Sequence, residues 1–177
     1  RRQCVEEQNL ALCQQASEEY TSAAQGYRLY LTRYPNNPQA YELQYNLADA
    51  LFWSEQYEEA AVAYAAVRDS NLDNSHMSEA ARRVVESLKR LVDQAAAQGR
   101  ISLRTEPPAP SGTPPTVAPV QMPELVQRLA QAREFYLARV DEAHDSEHVR
   151  AAYDFNNALL LYFYGYWPQA KERLTRI

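Results

Sequence analysis

The sequence predicts an all-α protein, and three observations carry the prediction. Four glycines in 177 residues are too few for the tight turns of a β-rich fold. Seven of the ten prolines fall between Pro107 and Pro123, so the rest of the chain is nearly free of helix breakers. Aromatic and small residues recur at three- and four-residue spacing, the period of one helix face. Hydrophobic residues make up 46% of the chain and charged residues 23%, enough apolar surface for a packed core. Thirteen tyrosines against four phenylalanines favour many half-buried aromatic positions over a few deep ones.

In chain order, Ser17 reads as the cap of a first clear helix, with Glu18 and Glu19 in its opening turn where the helix dipole favours carboxylates. That helix ends at Tyr34-Pro35-Asn36-Asn37. Asn37 is a natural N-cap and Pro38 a natural first helical residue for the next, whose stripe is Tyr41, Tyr45, Ala48 and Phe52. The turn Ser54-Glu55-Gln56 hands over to a helix from about Tyr57 to Asp69. Residues 75–98 predict a long amphipathic helix capped by Asn74 or Ser75, with Met77, Ala81, Val84, Leu88, Leu91 and Ala95 on one stripe. Residues 123–142 predict another, carrying Leu125, Leu129, Ala132, Tyr136 and Val140. Asp145-Ser146 then opens a helix that contains Ala158 and Leu161.

Between the two long helices, Thr105 to Met122 is proline, small and polar residues with almost no charge, a composition expected to be extended or disordered. It either links two helical domains or is a long loop between paired helices. The full apolar stripe on each flanking helix, which needs a partner, favours the loop. The organisation expected is therefore 1–103, a proline-rich loop over 104–122, and 123–177, all in one array.

The chain repeats itself. Tyr20-x2-Ala23-x3-Tyr27 recurs as Tyr57-x2-Ala60-x3-Tyr64 and again as Trp167-x2-Ala170-x3-Leu174. Asn46-Leu47-Ala48-x2-Leu51 precedes the second copy, and Asn156-Asn157-Ala158-x2-Leu161 precedes the third at the same offset. Self-similarity at this period marks stacked supersecondary units, each here a pair of helices. Leu47, Ala48, Leu51, Tyr57, Ala60 and Tyr64 make residues 41–74 resemble a tetratricopeptide repeat; residues 4–37 match mainly in their second helix, and 151–177 match in Ala158, Leu161, Ala170 and Leu174. The motifs cover about half the chain. The resemblance implies a right-handed helix-turn-helix solenoid of about four helix pairs.

It also implies a binding role. In such solenoids the first helices of successive units line a concave groove for extended peptides or partner helices. By resemblance the groove would show Glu42, Tyr45, Asn46, Asp49, Phe52 and Trp53 in the second unit, and Asn156, Tyr153, Leu160 and Phe163 in the fourth. Packing between helices competes as the reading of each aromatic, most strongly for Tyr45 and Phe52. Glu42 stands where a base would be needed to clamp an acidic chaperone tail, so that class of partner does not fit. The phrasing over 20–74 is similar to repeats of bacterial envelope proteins: outer-membrane assembly lipoproteins, Tol–Pal-associated coordinators and gliding-machinery components. That similarity implies a periplasmic or outer-membrane-associated scaffold.

Other classes find less support. Net charge is −5, with five arginines against ten carboxylates in residues 1–70, and no basic stripe exists to neutralise a nucleic-acid backbone. The longest apolar run, Ala158 to Tyr164, cannot span a bilayer. The chain opens on Arg1 and its pattern stops in mid-helix at Ile177, as expected of a fragment from which a leader or lipid-attachment cysteine has been cut. Repeat ends left bare by such a cut offer self-association as a further reading.

His144 and His148 stand four apart, the spacing of a metal pair on a helix, and give a metal-binding or metal-dependent hydrolytic alternative. If Asp145 caps a helix, however, His144 lies outside it. The preferred reading is two solvated histidines at a turn, with no metal, no cofactor and no catalytic set. Cys4 and Cys13 would face opposite sides of one helix, so a bond between them needs Cys4 to fold back from outside it. One buried cysteine and one terminal cysteine is the simpler expectation.

Overall fold

The computed structural model describes residues 10–112 and 117–176. Among the described residues it holds seven α-helices and no β-strand: α1 (Leu10–Arg33), α2 (Ala40–Trp53), α3 (Tyr57–Arg68), α4 (Met77–Ala97), α5 (Glu124–Arg139), α6 (Arg150–Phe163) and α7 (Trp167–Arg176), with a 3-10 turn at Glu142–His144 between α5 and α6. The protein is all-α. It divides into two compact units, residues 1–90 and 91–177, the division falling inside α4.

In the first unit α1 packs on α2 and α2 on α3. The helix expected to begin at Ser17 already runs from Leu10, because nothing between Leu10 and Arg33 interrupts the backbone ladder. Ser17 is inside it, its carbonyl accepting from Thr21 Oγ1 at 2.9 Å. The first repeat copy is therefore not packed like the second: Ala23 is exposed and Ala24 is buried, whereas Ala60 and Tyr64 are completely buried. A single unbroken helix brings no antiparallel neighbour within the described residues against the Ala23 side. Cys13, half-buried on α1, is disulfide-bonded. The expectation of separate thiols is thus corrected, and the one other cysteine, Cys4, lies outside the described residues.

The caps follow the expected residues with small offsets. Asn37 Oδ1 accepts from the Gln39 amide at 2.7 Å, although α2 begins at Ala40. In the turn ahead of α4, Asp73 takes the amides of Asn74 and Ser75 at 2.6 and 2.8 Å. The core of this unit is Ala48, Leu51, Phe52, Ala60, Tyr64 and Val67, joined by Ala80, Ala81, Val84 and Val85 from the first half of α4.

In the second unit α6 packs on α5 and α7 on α6. The α5–α6 junction is held by two residues. Buried Asp145 takes the Tyr136 hydroxyl at 2.7 Å and the amides of Val149 and Arg150, both at 3.1 Å. Arg150, from the start of α6, donates Nη1 to the Leu137 carbonyl at 3.0 Å and to the Val140 carbonyl, satisfying the open end of α5. Asp145 is the cap expected there, but it acts from a longer lead-in, since α6 begins only at Arg150.

The α2–α3 and α6–α7 turns are the same structure 110 residues apart. In the first, Ser54 bonds to the Ala50 carbonyl, Glu55 to Phe52 and Gln56 to Leu51; in the second, Tyr164 bonds to Leu160, Gly165 to Tyr162 and Tyr166 to Leu161. Each ends a helix with a left-handed residue, Glu55 at φ 66° and Gly165 at φ 81°, and each carries the 6→1 and 5→2 bonds of a Schellman motif. Ala48, Ala60, Ala158 and Ala170 are all buried, at equivalent positions of two paired helices.

The proline-rich segment has no helix, as its prolines require, and its two described arms lie along the α6–α7 turn. Arg104 Nε donates to the Phe163 carbonyl at 3.1 Å, and the Val120 amide to the Tyr164 carbonyl at 2.9 Å. Pro108 and Val117 press on Gly165, where a built Cβ would meet Pro108 Cγ at 2.8 Å and Val117 Cγ1 at 3.1 Å. One arm is thus tied to the turn by a side chain and the other by its backbone.

Candidate functional site

The residues that the sequence singles out lie on the faces of α2 and α6. On α2 the predicted residues do come together, and the first half of α4 lies over them. Glu42 bonds His76 Nε2 at 2.6 Å, and the Tyr45 ring stacks on His76 at 4.2 Å between centroids. Phe52 is buried edge-on to Trp53 at 5.2 Å, and the Arg83 guanidinium lies over both rings at 5.5 and 5.8 Å. Asp49 accepts a short hydrogen bond from the Tyr64 hydroxyl. Asn46 is half-buried beside them, and Trp53, also half-buried, has Tyr20 of α1 at 6.5 Å. Inter-helix packing therefore occupies Tyr45, Asp49 and Phe52, and only the Glu42 edge of the row is exposed.

The electrostatics follow from that packing. Burial, with Asp49 and Glu79 nearby, pushes the Tyr45 hydroxyl up to about 12. Tyr64 is also raised, by burial and by its hydrogen bond to Asp49. Glu79 is held below the usual carboxylate range despite its burial, because Arg82 and Arg83 both bond it. Glu79 is paired with Arg82 and Arg83, and Asp49 with the Tyr64 hydroxyl, which stabilises a fixed arrangement of this layer.

On α6 three of the four predicted residues are half-buried. Tyr153 packs edge-on to Tyr136 at 5.2 Å, and Leu160 and Phe163 are half-buried; Asn156 is exposed. The residues that sequence reasoning missed are Phe155, 46% exposed, and Tyr162, 40% exposed. They lie on one face with Leu159 between them, at i, i+4 and i+7. The signal was available, since Asn156 was already aligned with Asn46, and the same offset puts Phe155 under Tyr45 and Tyr162 under Phe52.

Asn157, also missed, is 3% exposed and ties α6 to α5 by donating to the Ala130 carbonyl at 3.0 Å and Glu134 Oε1 at 2.7 Å. Beside it Arg133 is 8% exposed; Nη1 reaches Asn157 Oδ1 at 3.4 Å and Nε finds no partner. Arg173 of α7 bridges Glu134 and Asp154.

The two histidines are not on one helical turn. His144 sits in the 3-10 turn with Nδ1 on Asp141 Oδ1 at 2.6 Å, and His148 follows with φ at 52°, before α6 begins. The geometry that made their spacing suggestive of a metal pair is absent, because Asp145 caps between them. Among the described residues no three or more His, Cys, Asp or Glu gather as metal ligands would, and no helix is long and apolar enough to cross a membrane. A cleft of about 350 Å³ lies between the α1–α2 and α3–α4 loops, lined by Pro35, Asn37, Tyr41, Leu72 and Asp73, without a convergent set of reactive groups.

No family model matches the chain, and no curated protein and no solved structure matches it either.

Proposed function

We propose that this chain is a non-catalytic protein-interaction scaffold of tetratricopeptide type, working within a multiprotein complex of a bacterial envelope, in outer-membrane assembly or gliding motility. The observation that carries the proposal is the pair of equivalent hairpins. Each joins its helices by the same Schellman turn and the same buried alanine pair, and the second carries an exposed aromatic face on α6. Repeated hairpins of this kind stack through their faces and offer what is left over to partners. The disulfide at Cys13 supports an oxidising compartment such as the periplasm, where such bonds persist.

A photo-crosslinking residue at Phe155 or Tyr162, in cells producing the full-length protein, tests the reading. A discrete crosslinked partner from these positions, and none from exposed Val62 on α3, is the expected result. Equal capture from all three removes the scaffold reading. The metal-dependent alternative through His144 and His148 makes the opposite prediction, a stoichiometric metal retained after dialysis.

A further inference from the structure

We infer that the exposed face of α6 is a docking surface for an amphipathic helix that approaches as α4 approaches α2, with a largely apolar contact stripe and one arginine directed at Tyr162 and Phe163. The inference deepens the scaffold reading and rests on it in treating α6 as an interaction face.

The argument is the internal equivalence of the hairpins. Shifting by 110 residues brings Tyr45 onto Phe155, Phe52 onto Tyr162 and Trp53 onto Phe163. On α2 this face is closed by the first half of α4: His76 stacks on Tyr45, and Arg83 covers the adjacent Phe52 and Trp53 rings. On α6 the matching adjacent pair is again aromatic, Tyr162 and Phe163 at 5.7 Å, with Trp167 stacked on Tyr162 at 6.1 Å as Tyr57 meets Phe52 at 5.3 Å. Among the described residues no guanidinium lies over this second pair, and Phe155 and Tyr162 are 46% and 40% exposed. Among the described residues the receptor half of the contact is present without a helix placed over it as α4 is over α2.

The differences between the faces define the occupant. Where α2 carries Glu42 and Asp49, α6 carries Ala152 and Leu159. The carboxylate that binds His76 has no counterpart, so a helix placing His76 or Glu79 there would desolvate polar groups without a partner. The fitting helix is apolar at those two positions. Only the arginine is kept, because a cation gains from facing an aromatic pair.

The test is fluorescence anisotropy with a labelled peptide of residues 74–97 carrying His76→Leu and Glu79→Leu, titrated with the whole chain. Saturable binding is expected, weakened roughly tenfold by Arg83→Ala in the peptide. Phe155→Ser and Tyr162→Ala in the protein, each checked for an unchanged melting curve, should each abolish or strongly weaken it. Val62→Ser should leave it intact. Absence of saturable binding overturns the inference, as does binding indifferent to the peptide arginine or to both α6 variants. If the peptide fails while crosslinking from Phe155 succeeds, the helix inference falls and the scaffold reading stands. If crosslinking is indiscriminate, the scaffold reading falls by itself.

Discussion

Glu55 and Gly165 occupy the same point of two equivalent turns, at φ 66° and 81°, and Pro108 and Val117 press on Gly165. A left-handed residue with a side chain is strained by about 1–2 kcal/mol, and Glu55 bears that strain. Glu55→Gly is therefore expected to stabilise by about 0.5–1 kcal/mol, after the extra unfolded-state entropy of glycine is set against the relief. Gly165→Ala is expected to destabilise by about 2 kcal/mol or more, from strain plus the clash with Pro108 and Val117. Denaturant midpoints of the two variants check both signs.

Arg133 is buried on α5 with a long contact to Asn157 and an unsatisfied Nε. Burial holds its basicity below the usual arginine range, and no carboxylate offsets the desolvation. Replacing such a charge by an apolar side chain of similar volume is neutral or favourable. Arg133→Met is expected to leave stability unchanged or raise it by about 1–2 kcal/mol, read from urea melts. A loss of several kcal/mol would show that a partner for the guanidinium had been overlooked.

Asp145 gives the acid side of the stability profile. Burial works against its charged form, but the Tyr136 hydroxyl and the amides of Arg150 and Val149 outweigh it and hold the carboxyl below the usual range. A lowered folded pKa contributes stability above the ordinary aspartate value, about 3.9, and that contribution is lost as pH falls through the folded value. Asp145→Asn should cost about 1–3 kcal/mol at neutral pH, and the gap to the native chain should close below about pH 4. Melts at stepped pH measure it.

Tyr45 governs the alkaline side. Its pKa is raised to about 12, so the folded chain holds a proton that the unfolded chain releases near 10. Its contribution is complete below pH 10 and is lost as pH rises toward 12. Tyr45→Phe is expected to flatten the decline of stability in that window. Following phenolate absorbance in folded and urea-unfolded protein shows whether the late-titrating fraction of the thirteen tyrosines shrinks in the variant.

The parts of this fold legible in the sequence are those in which one residue type has one job. Ala48, Ala60, Ala158 and Ala170 sit where two helices touch, and their spacing announced both hairpins. The stripe Tyr41, Tyr45, Ala48, Phe52 lies on the inner side of α2 as its period requires. Ser17 misled because a serine before two glutamates forms a cap only if the chain turns there, and the preceding residues continue the helix without a break. The proline arms were illegible for another reason: their bonds go to the backbone carbonyls of Phe163 and Tyr164, acceptors that every residue carries and that leave no trace in the sequence pattern. On the candidate surface, Tyr153 turns toward Tyr136 and leaves exposure to Phe155, a distinction set by which flank of α6 meets α5 and not readable from spacing alone.

Because the two turns impose one register on both hairpins, residues 48–64 and 158–174 are interchangeable cassettes. A chimera with the second cassette in the first position inherits the same entry and exit angles, since the Schellman bonds and the alanine pair travel with it. The reverse exchange brings Glu55 beneath Pro108, and there the arm would have to lift. Duplication of such a hairpin is thus open to the chain at little structural expense, while the position of a single glycine records which copy came to lie under a strap.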